Sequence, residues 1–425
     1  MKINLNVDVR HLSRVEGHGN IKIQVENGEI KEARWDTVET PRFFEVMLKN
    51  KHYSTAGLLA ARICGICSIS HCLCSIRATE NAFKVVVPET AAKLRLLAKH
   101  GETFQSHILH ILFLAAPDFF NEPSVIPLIE KKPDLAAMAI RLKGLANRLC
   151  DTVAGRTTHP VAFQVGGVTM VPQKRVLLGL RDELFRSLDD LKKVADLFAT
   201  FTLPDFIRET EFVSLKGEKE YPYIGGSLIS SDGVEHKEQD YQPMTNEYVD
   251  KNNTSKWSKL SRESYAVGAL ARFNNNALLL HPKASEVAAF LGLKPVCHNP
   301  FMNNVAQLVE SFHVVHEAIR LIDELVESEP GETMAKVTPR AGEGVSAVEA
   351  PRGILFHHYT YDKTGRIIMA NCVVPTTQNN ANIHLDIKSL VKKFAMTKEM
   401  TDEKLELLSS MLVRSYDPCI SCSVH

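Results

Sequence analysis

Two pairs of cysteines, each with two residues between its members, are the strongest chemical feature of the sequence. Cys64 and Cys67 form the first pair, and Cys419 and Cys422 form the second near the far end of the 425-residue chain. A Cys-x-x-Cys turn directs two thiolates at one metal ion, so two such turns supply four thiolates. Zinc, iron and nickel suit a ligand set this soft. The two pairs therefore predict a tetrathiolate metal centre.

A structural zinc site is the first alternative for these cysteines. Zinc-binding pairs usually lie about 15–20 residues apart and organise a small local fold. Here the pairs can meet only through the whole tertiary structure, which favours a reactive centre inside the core. Cysteine spacing alone does not distinguish the metals, so both interpretations stay open at this point.

The remaining cysteines show no second metal motif. Their spacing matches no iron–sulfur pattern, so we expect buried packing cysteines. An odd total of nine, in a sequence without a signal peptide, also favours free thiols or metal ligands over disulfides. These five residues are Cys72, Cys74, Cys150, Cys297 and Cys372. Residues 342–347 fit a dinucleotide fingerprint by letter, but they precede a proline instead of opening a helix, so we reject that interpretation.

Composition and charge restrict the class of protein. Lys+Arg and Asp+Glu both number 50, which gives a formal net charge of zero. This balance is unlike that of a nucleic-acid binder or a polybasic membrane anchor. No stretch approaches the roughly 20 apolar residues of a membrane span, and we interpret residues 108–120 as a buried core helix. We expect a cytoplasmic protein, although export on a partner's signal would leave no trace in this sequence.

Hydrophobic periodicity predicts an α+β fold with a mostly helical core and smaller β-rich portions near both ends. An Asn-Gly turn at residues 27–28 predicts an early hairpin. Helices are expected over residues 88–116, 133–153, 174–201, 305–322 and 401–415. Residues 204–256 are rich in Gly, Ser, Asp and Asn and are expected to face solvent without regular structure, whereas residues 331–377 are expected to return to strands.

Four portions of the chain follow from this pattern. Residues 1–60 are a β-rich N-terminal portion leading to the first motif, and residues 61–203 are a helical core. Residues 204–330 combine the irregular insertion with helices. Residues 331–425 are a β-rich portion followed by a C-terminal helix that leads to the second cysteine motif.

The residues around the cysteines resemble the two signatures of nickel–iron hydrogenase large (catalytic) subunits. The first motif, residues 62–71, reads RICGICSISH, and the second, residues 417–425, reads DPCISCSVH. The pattern is most similar to that of the soluble, cofactor-coupled group of the family. The resemblance extends along the chain through residues 14–18, 41–45, 106–107 with Asp118, 349–353 and 373–377.

The resemblance implies a nickel ion bound by all four cysteines. Cys67 and Cys422 would also bridge to an iron that carries carbon monoxide and cyanide, while Cys64 and Cys419 would be terminal nickel ligands. A second ion, magnesium or another divalent metal, is implied at residues that match a further site of the family. These residues are Glu45, His425 and the backbone carbonyl near Cys372.

The implied activity is the reversible heterolytic cleavage of dihydrogen. Dihydrogen is a very weak acid, so its heterolysis needs a Lewis-acidic metal and a base beside it. A terminal thiolate can serve as both ligand and base, and Cys419 is the candidate. Glu16 matches the glutamate that accepts the proton next, although it could instead form a salt bridge to Arg14.

Arg352 and Asp118 match residues that overhang the metals in the family. A guanidinium there can hydrogen-bond a metal ligand and polarise bound dihydrogen. Asp417 could pair with Arg352, or it could belong to an Asp-Pro sequence that only ends a helix.

Further polar groups are expected around the metals. His71 lies four residues beyond Cys67, one helical turn on, and could donate to a bridging sulfur. Thr376 matches a position that hydrogen-bonds the cyanides, as does the segment that contains Pro351 and Arg352.

Electrons have no carrier in this sequence once they leave the metals. The resemblance therefore implies an iron–sulfur small subunit, and further flavin or iron–sulfur subunits that bind NAD or ferredoxin. The final carrier could be nicotinamide, ferredoxin, deazaflavin or a heterodisulfide. A subunit of the respiratory complex I type shares ancestry with this family, but such subunits lack the four cysteines. The acceptor, the direction of turnover, oxygen tolerance, the full subunit composition and removal of a peptide after His425 stay open.

Overall fold

A three-stranded antiparallel sheet lies near the start of the chain, for which the computed structural model describes residues 3–329, 331–397 and 399–425. Strands β1 (Leu5–Val9), β2 (Gly19–Glu26) and β3 (Glu29–Thr37) pair in sequence order. Alternate residues of β2 are buried, as the pleat of a half-buried strand requires. The predicted hairpin turn is confirmed, because both of its residues have a positive φ.

The first cysteine motif lies between short helices and a long one. Helices α1 (Phe44–Leu48) and α2 (Tyr53–Ala60) are followed by a 3-10 turn (Ala61–Ile63) and by α3 (Ser68–Phe83). Helix α3 is buried along nearly all of its length, since it packs against other helices and against a later sheet.

A bundle of long helices forms most of the core. It contains α4 (Glu89–Ile108), a π-helical segment (Leu109–Ala115), α5 (Ala116–Phe119), α6 (Val125–Lys131), α7 (Pro133–Ala154) and α8 (Lys174–Phe198). The short strands β4 (Phe163–Gln164) and β5 (Gly167–Val168) connect α7 to α8. The buried helix expected over residues 108–120 is confirmed, except that its first two turns are π-helical.

Residues 204–256 do not form the solvent-facing insertion that their composition predicted. They contain β6 (Glu211–Leu215), β7 (Ser227–Ser230), β8 (Glu235–Lys237), a 3-10 turn (Glu238–Asp240), α9 (Gln242–Thr245) and β9 (Tyr248–Val249). Strand β6 is buried throughout and packs against a second sheet. The prediction was wrong for residues 211–230, where short strands bury their apolar side chains and polar residues occupy the turns, whereas most of residues 231–240 do face solvent.

The chain then returns to helices and to a further three-stranded antiparallel sheet. Strands β10 (Lys256–Trp257) and β11 (Tyr265–Ala266) precede α10 (Ala269–Asn276), a 3-10 turn (Ala277–Leu279), α11 (Pro282–Phe290), another 3-10 turn (Pro300–Met302) and α12 (Asn303–Glu327). Strands β12 (Gly342–Ala350), β13 (Gly353–Tyr361) and β14 (Ile367–Val373) form a meander. The fingerprint-like residues thus lie in a strand, as their rejection as a nucleotide loop required.

Three helices complete the chain and lead to the second motif. They are α13 (Pro375–Phe394), α14 (Asp402–Ser415) and α15 (Ile420–Ser423). The hydroxyl of Thr401 caps α14 by accepting a hydrogen bond from the amide of Lys404, which explains where this helix begins. The predicted α+β class with a mostly helical core is confirmed. Among the described residues, no helix has both the length and the apolar character needed to cross a membrane.

Candidate metal centre

The tertiary structure brings the two cysteine pairs together. All four sulfurs lie within 4.8 Å of one another, and all four residues are buried. The first members of the pairs are neighbours, with 3.5 Å between the Sγ atoms of Cys64 and Cys419. The second members are also neighbours, with 3.8 Å between Cys67 and Cys422, and the sulfurs of Cys419 and Cys422 are in direct contact. Among the described residues, this is the one group of three or more potential metal ligands.

The first motif is a turn whose backbone amides surround a sulfur. The amides of Ile66 and Cys67 donate to Cys64 Sγ at 3.3 and 3.1 Å. Burial raises the pKa of Cys64, but the Cys67 thiol, the Arg352 charge and the backbone donor outweigh it and lower that pKa. The pKa of Cys67 is raised instead, by its hydrogen bond to Cys64 and by burial. The turn therefore favours one thiolate, and a metal ion would be needed to hold both cysteines deprotonated.

The second motif is anchored by donors and acceptors from distant parts of the chain. The amide of Cys419 donates to Thr376 Oγ1 at 2.9 Å. The side chain of Arg42 donates through one nitrogen to two carbonyl oxygens, those of Ile63 and Ser421. Because Ile63 lies within the first motif and Ser421 within the second, Arg42 fixes the distance between the two motifs.

An N-terminal segment runs alongside the second motif. The amide of Ile420 donates to the carbonyl oxygen of Glu16 at 2.9 Å. Gly17 has φ +84°, and a Cβ there would lie 2.8 Å from Ile420 Cβ and 2.9 Å from the nitrogen of Ser421. Only glycine satisfies both this backbone conformation and this close approach.

The carboxylate of Glu16 binds Ser421 and not Arg14. The amide of Ser421 donates to Glu16 Oε2 at 3.1 Å, and its hydroxyl donates to Oε1. Arg14 instead binds the Leu114 carbonyl and the carboxylate of Asp118. The alternative of a Glu16–Arg14 salt bridge is therefore wrong. Both Glu16 and Ser421 are half-buried, whereas the cysteines are buried.

Arg352 lies beside the cysteines with one donor group free. Its Nε donates to the carbonyl of Asp417 at 2.7 Å, and its Nη2 donates to Asp417 Oδ1 at 2.9 Å. Both side chains are only 2% exposed. Burial lowers the pKa of Arg352, but the charges of Asp417, Cys67 and Cys64 outweigh it, so the guanidinium stays protonated. The buried Nη1 has no hydrogen-bond partner among the residues that the structure describes, as expected of a donor that serves a bound ligand.

Asp118 pairs with two arginines from distant parts of the chain. Its carboxylate binds Arg414 Nη1 at 2.9 and 3.1 Å and also binds Arg14. No hydrogen bond or ion pair joins Asp118 to Arg352 among the described residues. Two arginines compensate its charge, so its contacts link the N-terminal segment to α14.

His71 also forms a contact that the sequence did not predict. Its Nδ1 lies 3.1 Å from Nε2 of His357, whose other ring nitrogen lies 2.6 Å from the hydroxyl of Tyr359. Burial and the neighbouring His357 lower the pKa of His71 well below its ordinary value, so the ring is neutral. No hydrogen bond from His71 to a cysteine sulfur is present in the described part of the chain.

Glu45, Cys372 and His425 converge next to the cysteines. His425 Nε2 lies 2.8 Å from the carbonyl oxygen of Cys372 and 3.7 Å from Glu45 Oε1. Its Nδ1 lies 2.8 Å from the carbonyl of Cys422. Burial raises the pKa of Glu45, but His425 and the amide of Cys372 outweigh it, so the carboxylate stays charged. A carboxylate oxygen and a carbonyl oxygen thus both lie within 4 Å of the imidazole nitrogen Nε2 of His425.

The other cysteines behave as packing residues. Four of the five are buried, and Cys297 is half-buried. Burial raises the pKa of Cys72 and of Cys74 to about 12, so both thiols stay protonated, and neither belongs to the group of potential metal ligands. The expectation of buried packing cysteines is thus confirmed for all but Cys297.

Sequence reasoning missed several residues that position the site. Arg42 lies in residues 41–45, one of the segments that carry the resemblance, yet no local pattern showed that it joins the two cysteine turns. Ser421 lies between two metal-ligand candidates, and a hydroxyl at that place is a signal that could have been noticed. Gln307 donates to Asp417 Oδ2 at 3.2 Å from α12, a contact that only the tertiary structure reveals.

Comparisons with known proteins agree with this geometry. A family model described as nickel-dependent hydrogenase matches residues 42–143 and 231–425, and one described as HoxL-like matches residues 6–40. The chain is 30% identical over 419 residues to sulfhydrogenase 2 subunit alpha of Pyrococcus furiosus, covering 99% of this chain and 98% of that protein. It is 32% identical over 429 residues to sulfhydrogenase 1 subunit alpha of that organism, with the same coverage. A solved NAD+-reducing NiFe hydrogenase in the H2-reduced state superposes with a TM-score of 0.88 at 28% identity, covering 100% of both chains.

Proposed function

Because this chain belongs to the nickel-dependent hydrogenase family, we propose that Cys64 and Cys419 are terminal nickel ligands and that Cys67 and Cys422 bridge nickel to iron. The chain is a catalytic hydrogenase subunit, an oxidoreductase that acts on dihydrogen. The observation that carries the ligand assignment is the pairing of the sulfurs. The two second cysteines are neighbours, so they can share a second metal on one side of the first.

The surroundings of the cysteines fit an iron that carries carbon monoxide and cyanide. Cyanide is an anionic acceptor, and the free Nη1 of Arg352 is a buried cationic donor. The hydroxyl of Thr376 accepts from Cys419, so its hydrogen can be donated elsewhere. Pro351 precedes Arg352 in a tight turn, where it contributes apolar surface without an amide donor.

The proton route follows from the residues that touch the second motif. When bound, the metal centre supplies the Lewis acid for dihydrogen heterolysis and accepts its electrons. The thiolate of Cys419 is the base that takes the proton. Glu16 is the next acceptor, since its backbone lies against Cys419 and its carboxylate receives the hydroxyl of Ser421. The half-buried position of Glu16 and Ser421 directs this route from the buried cysteines toward solvent.

A divalent ion, magnesium or a metal of similar preference, is proposed between Glu45, His425 and the carbonyl of Cys372. One carboxylate and one carbonyl suit magnesium, which keeps several water ligands. The imidazole of His425 also contacts the carbonyl of Cys422. An ion there would therefore hold the backbone of a bridging cysteine in place.

We propose that an iron–sulfur small subunit receives the electrons at the face formed by the first motif. The other described cysteines do not join a second group of metal ligands, so the chain needs an external carrier. Gly65 is exposed between two buried cysteines, and the hydroxyl of Thr158 donates to its carbonyl at 3.2 Å. The exposed side chains of Arg62 and Arg156 give this face positive charge. Further flavin or iron–sulfur subunits would pass electrons to NAD, ferredoxin or a similar carrier in the cytoplasm.

Metal analysis and infrared spectroscopy test the assignment. We expect about one nickel per chain and infrared bands of carbon monoxide and cyanide on iron, together with dihydrogen-dependent dye reduction. Cys419→Ser should lose nickel because it removes a ligand, whereas Cys297→Ser changes a half-buried cysteine away from the site and should keep it. An active protein that contains only zinc would refute the proposal.

A further inference from the structure

Arg272, in the first turns of α10, uses all of its donors inside the core. Its Nε donates to Glu310 Oε1 at 2.7 Å, and its Nη2 donates to Glu310 Oε2 at 2.6 Å. Its Nη1 donates to Glu349 Oε2 at 3.0 Å. The two remaining N–H groups donate to the carbonyls of Ala350 at 2.9 Å and Pro351 at 3.0 Å. A guanidinium has five N–H donors, and all five are satisfied here.

The two carbonyls that Arg272 binds directly precede Arg352 in the turn between β12 and β13. Ala350 pairs with Gly353 across this turn, which leaves only two residues to form it. Gly353 has φ +137°, and a Cβ there would lie 2.4 Å from the side chain of Val267. The turn is therefore held from one side by Arg272 and packed from the other, so the backbone of Arg352 has little freedom.

The acceptors around Arg272 are themselves fixed. Glu310 also accepts hydrogen bonds from Nε2 of His107 at 2.8 Å and from the hydroxyl of Tyr221 at 2.7 Å. Glu349 receives the amide of Leu215 at 2.7 Å. The side chains of Arg272, Glu310 and Glu349 are at most 1% exposed. Such a buried charge cluster is weak evidence for stability, and in some proteins its role is to fix a single geometry.

We propose that Arg272 is a positioning residue that sets the direction of the free Nη1 of Arg352. The guanidinium of Arg352 is held by the carboxylate of Asp417, and the carbonyl of Pro351, in the peptide bond before Arg352, is held by Arg272. If the turn moved, the unpartnered donor would move with it, together with its hydrogen bond to the ligand it serves. This inference rests on the proposed iron with cyanide ligands.

The variant Arg272→Lys tests whether the several N–H donors of the guanidinium are needed. Lysine keeps the positive charge but has one nitrogen, so it can bind Glu310 and cannot also hold both turn carbonyls. We expect displaced or broadened cyanide bands in the infrared spectrum of the nickel-loaded enzyme. We also expect kcat to fall by about 10–10²-fold, the loss typical of a misplaced catalytic group, while KM for dihydrogen changes less.

Arg95→Lys is the matched control. Arg95 is also a buried arginine. It donates to both carboxylate oxygens of Glu80 and, in addition, to the backbone carbonyls of Gln164 and Gly167. It does not touch the turn before Arg352, so its variant should lose comparable thermal stability and leave the cyanide bands unchanged. Equal changes of the bands in both variants would show a general loosening of the fold and would overturn the inference.

Two further outcomes complete the test. If Arg272→Lys fails to load metal, Glu349→Gln is the second variant. It weakens the ion pair between Arg272 and Glu349 and should shift the same cyanide bands by a smaller amount. Unchanged bands in every loaded variant at this cluster would leave Arg272 a purely structural residue and overturn the inference. If the unmodified enzyme itself shows no cyanide bands, the proposed function fails instead, so the two failures are distinguishable.

Discussion

Replacement of Glu16 by glutamine separates proton transfer from assembly of the metal centre. The Glu16 carboxylate accepts two hydrogen bonds from Ser421, one from the amide and one from the hydroxyl. In Glu16→Gln, the amide oxygen can keep the bond from the Ser421 amide, and the new NH2 can donate to the hydroxyl oxygen. The stability should therefore change by no more than about 0.5–1.5 kcal/mol, the net value of one hydrogen bond.

Turnover should respond far more strongly than stability in this variant. Glutamine cannot carry a proton at neutral pH, so a loss of about 10²–10⁴-fold is expected for a positioned acid–base group. This loss corresponds to a barrier higher by about 3–5 kcal/mol, at roughly 1.36 kcal/mol per tenfold change. Nickel content and infrared bands should stay those of the unmodified enzyme, because no metal ligand changes.

Isotope exchange measures the step directly. The enzyme is incubated with D2 in ordinary water, and the formation of HD and H2 is followed by mass spectrometry. Glu39→Gln is the control, because Glu39 is a half-buried carboxylate near Gly17 that binds His18 and not Ser421. Near-normal exchange in Glu16→Gln would refute the proposed route and leave Glu16 a structural anchor of the second motif.

Three further perturbations follow from the structure. Gly17→Ala forces a Cβ to within 2.8 Å of Ile420 at a positive φ, so we expect at least about 1–2 kcal/mol of lost stability and reduced nickel content by metal analysis; full nickel loading would contradict this. Glu45→Gln should lower magnesium occupancy and make the melting temperature insensitive to a chelator, whereas unchanged chelator sensitivity would place the ion elsewhere. Burial lowers the pKa of His313 to about 3 and outweighs the charge of Glu310, which would raise it. As the pH falls below about 6.5, this histidine therefore takes up a proton in the unfolded chain before it does so in the folded one. The free energy of unfolding should consequently fall by about 2 kcal/mol between pH 6.5 and pH 5 on account of this residue. Replacement of His313 by Gln should therefore flatten the fall in melting temperature between pH 6.5 and 5, and an unchanged slope would show that its pKa is ordinary.

Local signals predicted the elements of this fold well where each signal acts within a few residues. The Asn27-Gly28 turn and the apolar period of α12 depend on neighbours in the sequence. The cysteine motifs also predicted each other's proximity, since a metal centre needs ligands from both. The end of α8 at Phe198, three residues earlier than expected, shows how weakly the sequence marks the last turn of a helix.

Pairings between distant charged residues could not be predicted in the same way. Asp118 binds Arg414, and Arg272 binds Glu310, although no periodicity or spacing relates these positions. Any of the many arginines could have satisfied either carboxylate, and tertiary packing alone decides among them. The burial of β6 was missed for a related reason, since its apolar side chains gain partners from elements distant in the sequence, β12 and β13 among them.

The wide separation of the two cysteine motifs along the chain has a consequence during synthesis. Arg42 and Glu16 contact Ser421 across 379 and 405 sequence positions. At roughly 5–20 residues per second, the ribosome releases Cys419 some 20–70 s after Cys67. Throughout that interval the first thiol pair exists without its counterpart, open to oxidation and to capture by copper or zinc, which bind such ligands tightly. Correct nickel loading therefore depends on when the ion is delivered as much as on which ligands receive it.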